Sequence, residues 1–314
     1  MNPEKIFINE FGRLRSGWRF TIFFIALFLL SGAIGGAAGA VLYYLPIGFS
    51  NNSLLGFLVP QLILLTLTVL LGWLCGRFLE NLPFRALGAW FTKNWLKDFV
   101  VGFLTGGTSI GLAALILILS GAIEFRFNEN AGQSAILLTL GVSFVIFAVG
   151  AAAEEAFFRG YIFQTFTRAK LALFAFALTS LLFAAMHTSN PSANYLSFLN
   201  TLLAGIWFGA AYLKTRTLWL AFGIHLAWNW MQGAVLGISV SGIDSITTAP
   251  VLQATNIGSP VLTGGDYGIE GGFACTIALI VSTLAIWFLP ILKPTEQMLA
   301  LTSEEKPIKE TPDE

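Results

Sequence analysis

The sequence has few charged residues, few cysteines and only two histidines. Asp, Glu, Lys and Arg together make up 11% of the 314 positions, which is too little polar surface to cover a folded chain of this length in water. Basic and acidic residues balance at 17 each, so no positive excess exists to bind nucleic acid. Cys75 and Cys275 lie in apolar runs far apart in the chain, and they indicate neither a disulfide framework nor a cysteine metal site.

Apolar residues are abundant, at 56% of the positions, and the mean hydropathy is +0.76. A helix that spans a bilayer needs about 20 mostly apolar residues. Eight runs meet this requirement, at 20–45, 54–76, 99–123, 142–167, 171–190, 195–213, 217–240 and 273–292. We therefore predict an all-α, polytopic membrane protein in which residues 1–292 form one transmembrane domain of eight helices embedded in the lipid bilayer.

The basic residues predict the orientation, because short cytoplasmic loops collect Lys and Arg. Sixteen of the seventeen Lys and Arg residues lie before span one, after an even-numbered span, or at position 159 within span four. Only Arg126 lies in a loop that follows an odd-numbered span. Both termini are therefore predicted to be cytoplasmic, in a bacterial plasma membrane. The Gly-rich stretch 241–272 is predicted outside, residues 80–99 as a helix in the interface, and residues 293–314 as a disordered cytoplasmic tail.

Charged and histidine side chains occur in three of the predicted spans, where such groups are costly and tend to be functional. Span four carries Glu154, Glu155 and Arg159, span five ends with His187, and span seven carries His225 and Asn229. With a rise of about 1.5 Å per residue, Glu154, both histidines and Asn229 fall near the middle of a layer about 30 Å thick. The sequence therefore predicts one buried polar site between helices 4, 5 and 7.

Helical spacing assigns roles within this site. Glu155 and Arg159 are i,i+4 neighbours and can form an ion pair on one face. Glu154 points about 100° away and lacks that partner, which suits a general base working near neutral pH. His225 and Asn229 are also i,i+4 neighbours and face the same side.

Each feature also has a structural explanation when it is taken alone. Glu155 and Arg159 could be only a structural ion pair, His187 could cap a helix end, and His225 with Asn229 could join two helices by a hydrogen bond. A packing explanation must nevertheless bring both histidines and an adjacent Glu pair to one depth. Together they indicate a buried reaction centre or the midplane site of a transporter.

Two chemistries fit these residue types. Glu154, His187 and His225 could bind a Zn²⁺ ion with water in the open position, although no HExxH motif is present. Without a metal, Glu154 and His187 would deprotonate a water while His225 and Asn229 donate hydrogen bonds to an oxyanion. Both routes are hydrolysis by an activated water.

Three motifs in a fixed order resemble a known family. They are EEAFFR with Glu154, Glu155 and Arg159, FAAMH with Phe183 and His187, and HLAWN with His225 and Asn229. In this order the chain resembles the CAAX prenyl protease 2-like intramembrane proteases, also called CPBP or type II CAAX endopeptidases. The resemblance covers a protease core of about 135–240, with further likeness in RLRSGWR and ALGAWFTKNWLKD on its N-terminal side.

The resemblance implies an eight-span enzyme that cleaves a peptide bond of a membrane-associated protein or peptide. It implies Glu154 and His187 as water activators and His225 and Asn229 at the oxyanion, with Glu155 and Arg159 as orienting residues; whether a metal takes part is left open. The competing hypothesis is a non-enzymatic membrane protein, either a bacteriocin immunity factor or a proton-coupled transporter that titrates Glu154. Spans one to three carry no matching polar set, which favours the enzyme.

Overall fold

The structure is a computed structural model, and it describes residues 4–44 and 53–305. It is built almost entirely of helices. Their bounds are α1 Glu4–Phe7, α2 Ser16–Tyr44, α3 Leu54–Glu80, α4 Trp95–Leu119, α5 Gln133–Glu155, α6 Phe163–Arg168, α7 Ala172–Met186, α8 Tyr195–Thr215, α9 Trp219–Trp230, α10 Pro260–Thr263, α11 Phe273–Phe288 and α12 Glu296–Thr302. Short 3₁₀ turns occupy Phe84–Leu87, Gly265–Tyr267 and Ile269–Gly271, and π-helical segments occupy Ala156–Ile162 and Met231–Val235.

Within the described residues, five helical segments are long and apolar enough to cross a membrane: α2, α3, α4, the unit from α5 to α6, and α8. The helices in the fifth and eighth predicted spans, α7 and α11, are apolar but have only 15 and 16 residues. Helix α9, in the seventh, has 12 residues before its π-helical segment. At about 1.5 Å per residue these three are shorter than a layer of about 30 Å. The structure therefore supports a helical protein with several apolar spans, and the count of eight stays a prediction.

One small sheet departs from the all-helical prediction. Strand β1, Ile123–Phe127, pairs antiparallel with β2, Leu252–Asn256, and Phe125 lies opposite Ala254. The strands join the segment after α4 to the long stretch between α9 and α11. The stretch between α9 and α11 is therefore a folded segment, and the pairing of β2 with β1 holds it against the helices.

Two predicted segments differ from the structure. Residues 80–99 do not form one interfacial helix, because only Phe84–Leu87 makes a helical turn before α4 begins at Trp95. The predicted tail 293–314 contains α12, which buries Met298 and Thr302 completely, and an apolar side chain that finds a core stabilises a short helix. Residues 306–314, the rest of that tail, lie outside the described residues.

Helix α9 packs most extensively on α4, and glycines allow the close approach. A Cβ atom added to Gly102 would lie 2.3 Å from the Leu220 carbonyl oxygen, and one added to Gly106 would lie 2.2 Å from that of Ile224. Small residues four positions apart commonly mark such contacts. A Cβ added to Gly32 or Gly36, which have the same spacing, would meet no atom of the described residues within 4 Å.

A buried ionic cluster lies at the end of α3 that carries Glu80. The Glu80 carboxylate accepts hydrogen bonds from Arg168 at 2.8 and 2.9 Å and pairs with Arg19 at 2.6 Å. Phe57, near the other end of α3, lies 23 residues before Glu80, which corresponds to about 35 Å of helix. The cavity that Glu154 lines reaches Phe57, so the ionic cluster and this side of the cavity lie near opposite ends of α3.

Candidate active site

Four of the six predicted site residues line one cavity of about 290 Å³. They come from three elements: Glu154 from α5, His187 from the residue that ends α7, and His225 with Asn229 from α9. On α9, His225 and Asn229 are i,i+4 neighbours, so their side chains point to the same side of the helix. The cavity therefore collects a carboxylate, two imidazoles and an amide.

Glu155 and Arg159 do not line this cavity but lie behind it, at 1% and 0% exposure. Nη1 of Arg159 donates to Oε1 of Glu155 at 3.2 Å, and its Nη2 donates to the carbonyl oxygen of Gly205 at 3.0 Å. The guanidinium also lies 4.9 Å from the ring centres of Phe183 and Phe208. Aromatic faces attract such a cation, so the pair is held in a dry, rigid surrounding.

The ring of His225 is fixed on both sides. Its Nδ1 lies 2.9 Å from Oε1 of Glu155, and because a carboxylate accepts, Nδ1 carries the hydrogen. Phe208 stacks on the ring with a centroid distance of 4.6 Å and an interplanar angle of 17°. The other nitrogen, Nε2, lies 3.8 Å from Oε2 of Glu154. His225 therefore presents Nε2 at a defined position beside the Glu154 carboxylate.

His187 is fixed by the backbone of its own helix. Its Nδ1 lies 2.7 Å from the carbonyl oxygen of Phe183, an acceptor, so Nδ1 donates and Nε2 carries the lone pair. The chain turns back here, and the capping box of Asn194 and Ser197 starts α8. A capping box satisfies backbone N–H groups that a helix start would leave open, so the turn that carries His187 is well defined.

Glu154 places a carboxylate on the wall of this cavity. Its side chain is 22% exposed. Its buried Oε2 has no hydrogen-bond partner within the described part of the chain. Because the residue lines the cavity and its side chain is partly exposed, the carboxylate is available as an acceptor to a bound water or substrate.

Glu154, His187 and His225, the alternative set of metal ligands, are not arranged as a metal site. A zinc ion needs three or four ligands at about 2.0–2.3 Å. Across residues 4–44 and 53–305, no group of three His, Cys, Asp or Glu side chains is arranged to hold a metal ion. Glu154, His187 and His225 share the cavity without meeting this requirement.

Several cavity residues were not predicted from the sequence. Gln61 of α3, Asn200 of α8, Ser241 and Glu270 all line the same cavity. Gln61 could have been identified from the sequence, because an amide in an otherwise apolar span is costly and tends to be functional. Glu270 lies in the Gly-rich stretch 241–272, and only the folding of that stretch onto the helices brings it to the cavity.

Comparisons with known proteins agree with the motifs. Residues 136–231 match the family described as Rce1-like, type II CAAX prenyl endopeptidase. The match includes all four predicted residues that line the cavity. A protein from Bacillus subtilis (strain 168), described as uncharacterized protein YyaK, is 25% identical, and the alignment covers 69% of this chain and 70% of that protein. The family that the motifs resemble is confirmed over residues 136–231.

Proposed function

We propose that this chain, which carries an Rce1-like domain, is a membrane-embedded endopeptidase that hydrolyses a peptide bond of a membrane-associated protein or peptide. One observation carries the proposal: Glu154, His187, His225 and Asn229 line the same cavity, and all four lie within the residues 136–231 that match the family. These residue types supply an acid–base group, a second acceptor and two donors. This is the set that peptide hydrolysis by water requires.

Water activation falls to Glu154 and His187. The carboxylate of Glu154 accepts a proton as the water oxygen attacks the peptide carbonyl carbon. Nε2 of His187 accepts the other water hydrogen in a hydrogen bond, because its Nδ1 is occupied by Phe183. Two acceptors at fixed positions orient the water, and general-base catalysis of this kind contributes about 10²–10⁴-fold.

The negative charge that develops on the carbonyl oxygen is met by His225 and Asn229. With Nδ1–H directed to Glu155, His225 donates to the oxyanion when Nε2 is also protonated. Glu154 and Glu155 both lie within 4 Å of the ring and offset the charge of the imidazolium. The Asn229 amide supplies the second donor, and each such donor contributes about 10²–10³-fold.

Collapse of the tetrahedral intermediate completes the reaction. The C–N bond breaks, and Glu154 transfers the proton taken from water to the leaving amine. The products are a carboxylic acid and an amine, so the carboxylate of Glu154 is regenerated. Glu155 and Arg159 touch no reacting atom in this scheme and act as positioning residues through His225.

The membrane arrangement belongs to the same proposal. We propose eight crossings with both termini in the cytoplasm of a bacterial cell, with the ionic cluster of Arg19, Glu80 and Arg168 on the cytoplasmic side. The cavity lies near the other end of α3 and is bordered by residues of the stretch 241–272. Substrate then approaches from the extracytoplasmic half of the membrane.

The direct test offers membrane-tethered peptides to the purified protein in detergent and in vesicles. Glu154→Gln and His187→Ala should each lower kcat about 10²–10⁴-fold with unchanged thermal unfolding. Glu129→Gln, which alters an exposed carboxylate outside the cavity, is the matched control and should keep full activity. Cleavage that survives both cavity variants would overturn the assignment of Glu154 and His187 as the catalytic residues, and no cleavage by the wild-type protein would favour a non-enzymatic role.

A further inference from the structure

A second carboxylate, that of Glu270, lies on the wall of the cavity that contains Glu154. We propose that Glu270 binds the positively charged side chain of a Lys or Arg in the substrate, and so selects peptides with a basic residue near the scissile bond. The inference rests on the proposed function, because it names the class of substrate that the same cavity takes.

The Glu270 carboxylate is held in place by three neutral donors. Nε1 of Trp228 donates to Oε1 at 3.1 Å, while the backbone N–H and the hydroxyl of Ser241 donate to Oε2 at 2.6 and 2.7 Å. The backbone is fixed as well, since Nδ2 of Asn200 donates to the carbonyl oxygens of Glu270 and Gly272 at 2.8 and 2.9 Å. The charged group is therefore preorganised for a partner.

No basic residue neutralises this charge within the part of the chain that the structure describes. Glu80 pairs with Arg168 and Arg19, and Glu155 pairs with Arg159, but Glu270 forms no ion pair with Lys or Arg. No Lys or Arg is among the cavity-lining residues either. Neutral donors orient a carboxylate without cancelling its charge, so a cation entering the cavity gains an ionic hydrogen bond there.

The position of Glu270 relates it to the reacting bond. Its partner Trp228 directly precedes Asn229 on α9 and lies three residues after His225, which is about 4.5 Å along the helix axis. The carboxylate is thus anchored to the helical turn that presents the two oxyanion donors. A basic side chain bound by Glu270 would belong to a residue close to the cleaved bond, and its charge would set the register of the peptide.

The test compares two N-acetylated, membrane-tethered peptides that differ at one position, which holds either Arg or the neutral isostere citrulline. The position is scanned along both sides of the cleaved bond. Wild-type protein should favour the Arg peptide about tenfold in kcat/KM at one or more positions, and high salt should reduce this preference. Glu270→Gln should bring the ratio close to one, whatever its effect on the absolute rate.

Asp266→Asn is the matched control, because Asp266 is an exposed acid in the same stretch and does not line the cavity; it should keep the wild-type ratio. If Glu270→Gln does not fold, the ratio of kcat/KM for the Arg and citrulline peptides can still be measured with the wild-type protein and with Glu270→Asp. These two ratios then test the inference. Equal cleavage of both peptides by wild-type protein at every position overturns this inference alone. Cleavage of neither peptide overturns the proposed function and the inference with it.

Discussion

Nδ1 of His225 lies 2.9 Å from Oε1 of Glu155, although 70 residues separate them in the sequence. The same oxygen accepts a hydrogen bond from Arg159 at 3.2 Å. The HLAWN motif is therefore attached to the EEAFFR motif through one carboxylate oxygen. The orientation of His225 depends on an ion pair that is itself buried out of reach of the cavity.

Breaking that ion pair should lower stability and activity together. Glu155→Gln leaves the Arg159 guanidinium buried without its carboxylate partner, and an unpaired buried charge costs about 3–5 kcal/mol of unfolding free energy. His225 also loses the charged acceptor that orients it, so kcat/KM should fall about 10–100-fold. Thermal unfolding in detergent and cleavage of a tethered peptide measure the two effects.

A double variant separates positioning from stability. Glu155→Gln combined with Arg159→Met removes both charges, and apolar replacement of a buried pair is often close to neutral, so much of the lost stability should return. Activity should stay low, because the carboxylate that orients His225 is still absent. Full activity in this double variant would contradict the positioning role of Glu155.

The glycine contact between α4 and α9 should also control activity. A Cβ at Gly106 would lie 2.2 Å from the carbonyl oxygen of Ile224, next to His225, so Gly106→Ala must push α9 away. We expect a loss of about 1–3 kcal/mol in stability and up to about 10²-fold in activity. Gly111→Ala is the control on the same helix, because a Cβ added to Gly111 would meet no atom of the described residues within 4 Å. A similar loss in both variants would argue against this contact as the cause.

Local spacing was sufficient to predict part of the site. The Glu155–Arg159 pair follows from the i,i+4 rule, and so does the shared direction of His225 and Asn229. Both relationships lie within one helix, where geometry is fixed by hydrogen bonds between near neighbours. The structure shows the ion pair, and it shows both α9 residues on the cavity wall.

Contacts between distant segments could not be predicted in this way. The hydrogen bond from His225 to Glu155 depends on how α5 and α9 pack, and nothing in either motif specifies this packing. Glu270 reaches the cavity only because Asn200 and Ser241 hold its segment there. Likewise, β1 pairs with a strand more than 120 residues later. Such pairings depend on the tertiary fold and leave no periodic signal in the sequence.

Removal of metal should leave the activity intact. Within the described residues no three ligands are arranged around one point, so we expect the kcat of the purified protein to survive dialysis against a strong chelator. Elemental analysis before and after dialysis is the accompanying measurement. Stoichiometric zinc that disappears in both His187→Ala and His225→Ala would contradict the metal-free scheme and require a rearranged site.

The final prediction concerns the ion pairs of the C-terminal segment. Glu305 pairs with the fully buried Arg19, whereas the neighbouring Glu304 pairs with Lys170 at 3.5 Å on an exposed surface. Glu305→Gln should therefore lower the unfolding free energy by about 1.5–3 kcal/mol, and Glu304→Gln by about 0–1 kcal/mol. Thermal unfolding of both variants in one detergent makes the comparison. Equal losses would mean that Arg19 is satisfied by Glu80 alone, and that the segment around Glu305 contributes little to the stability of the end of the bundle that carries Glu80.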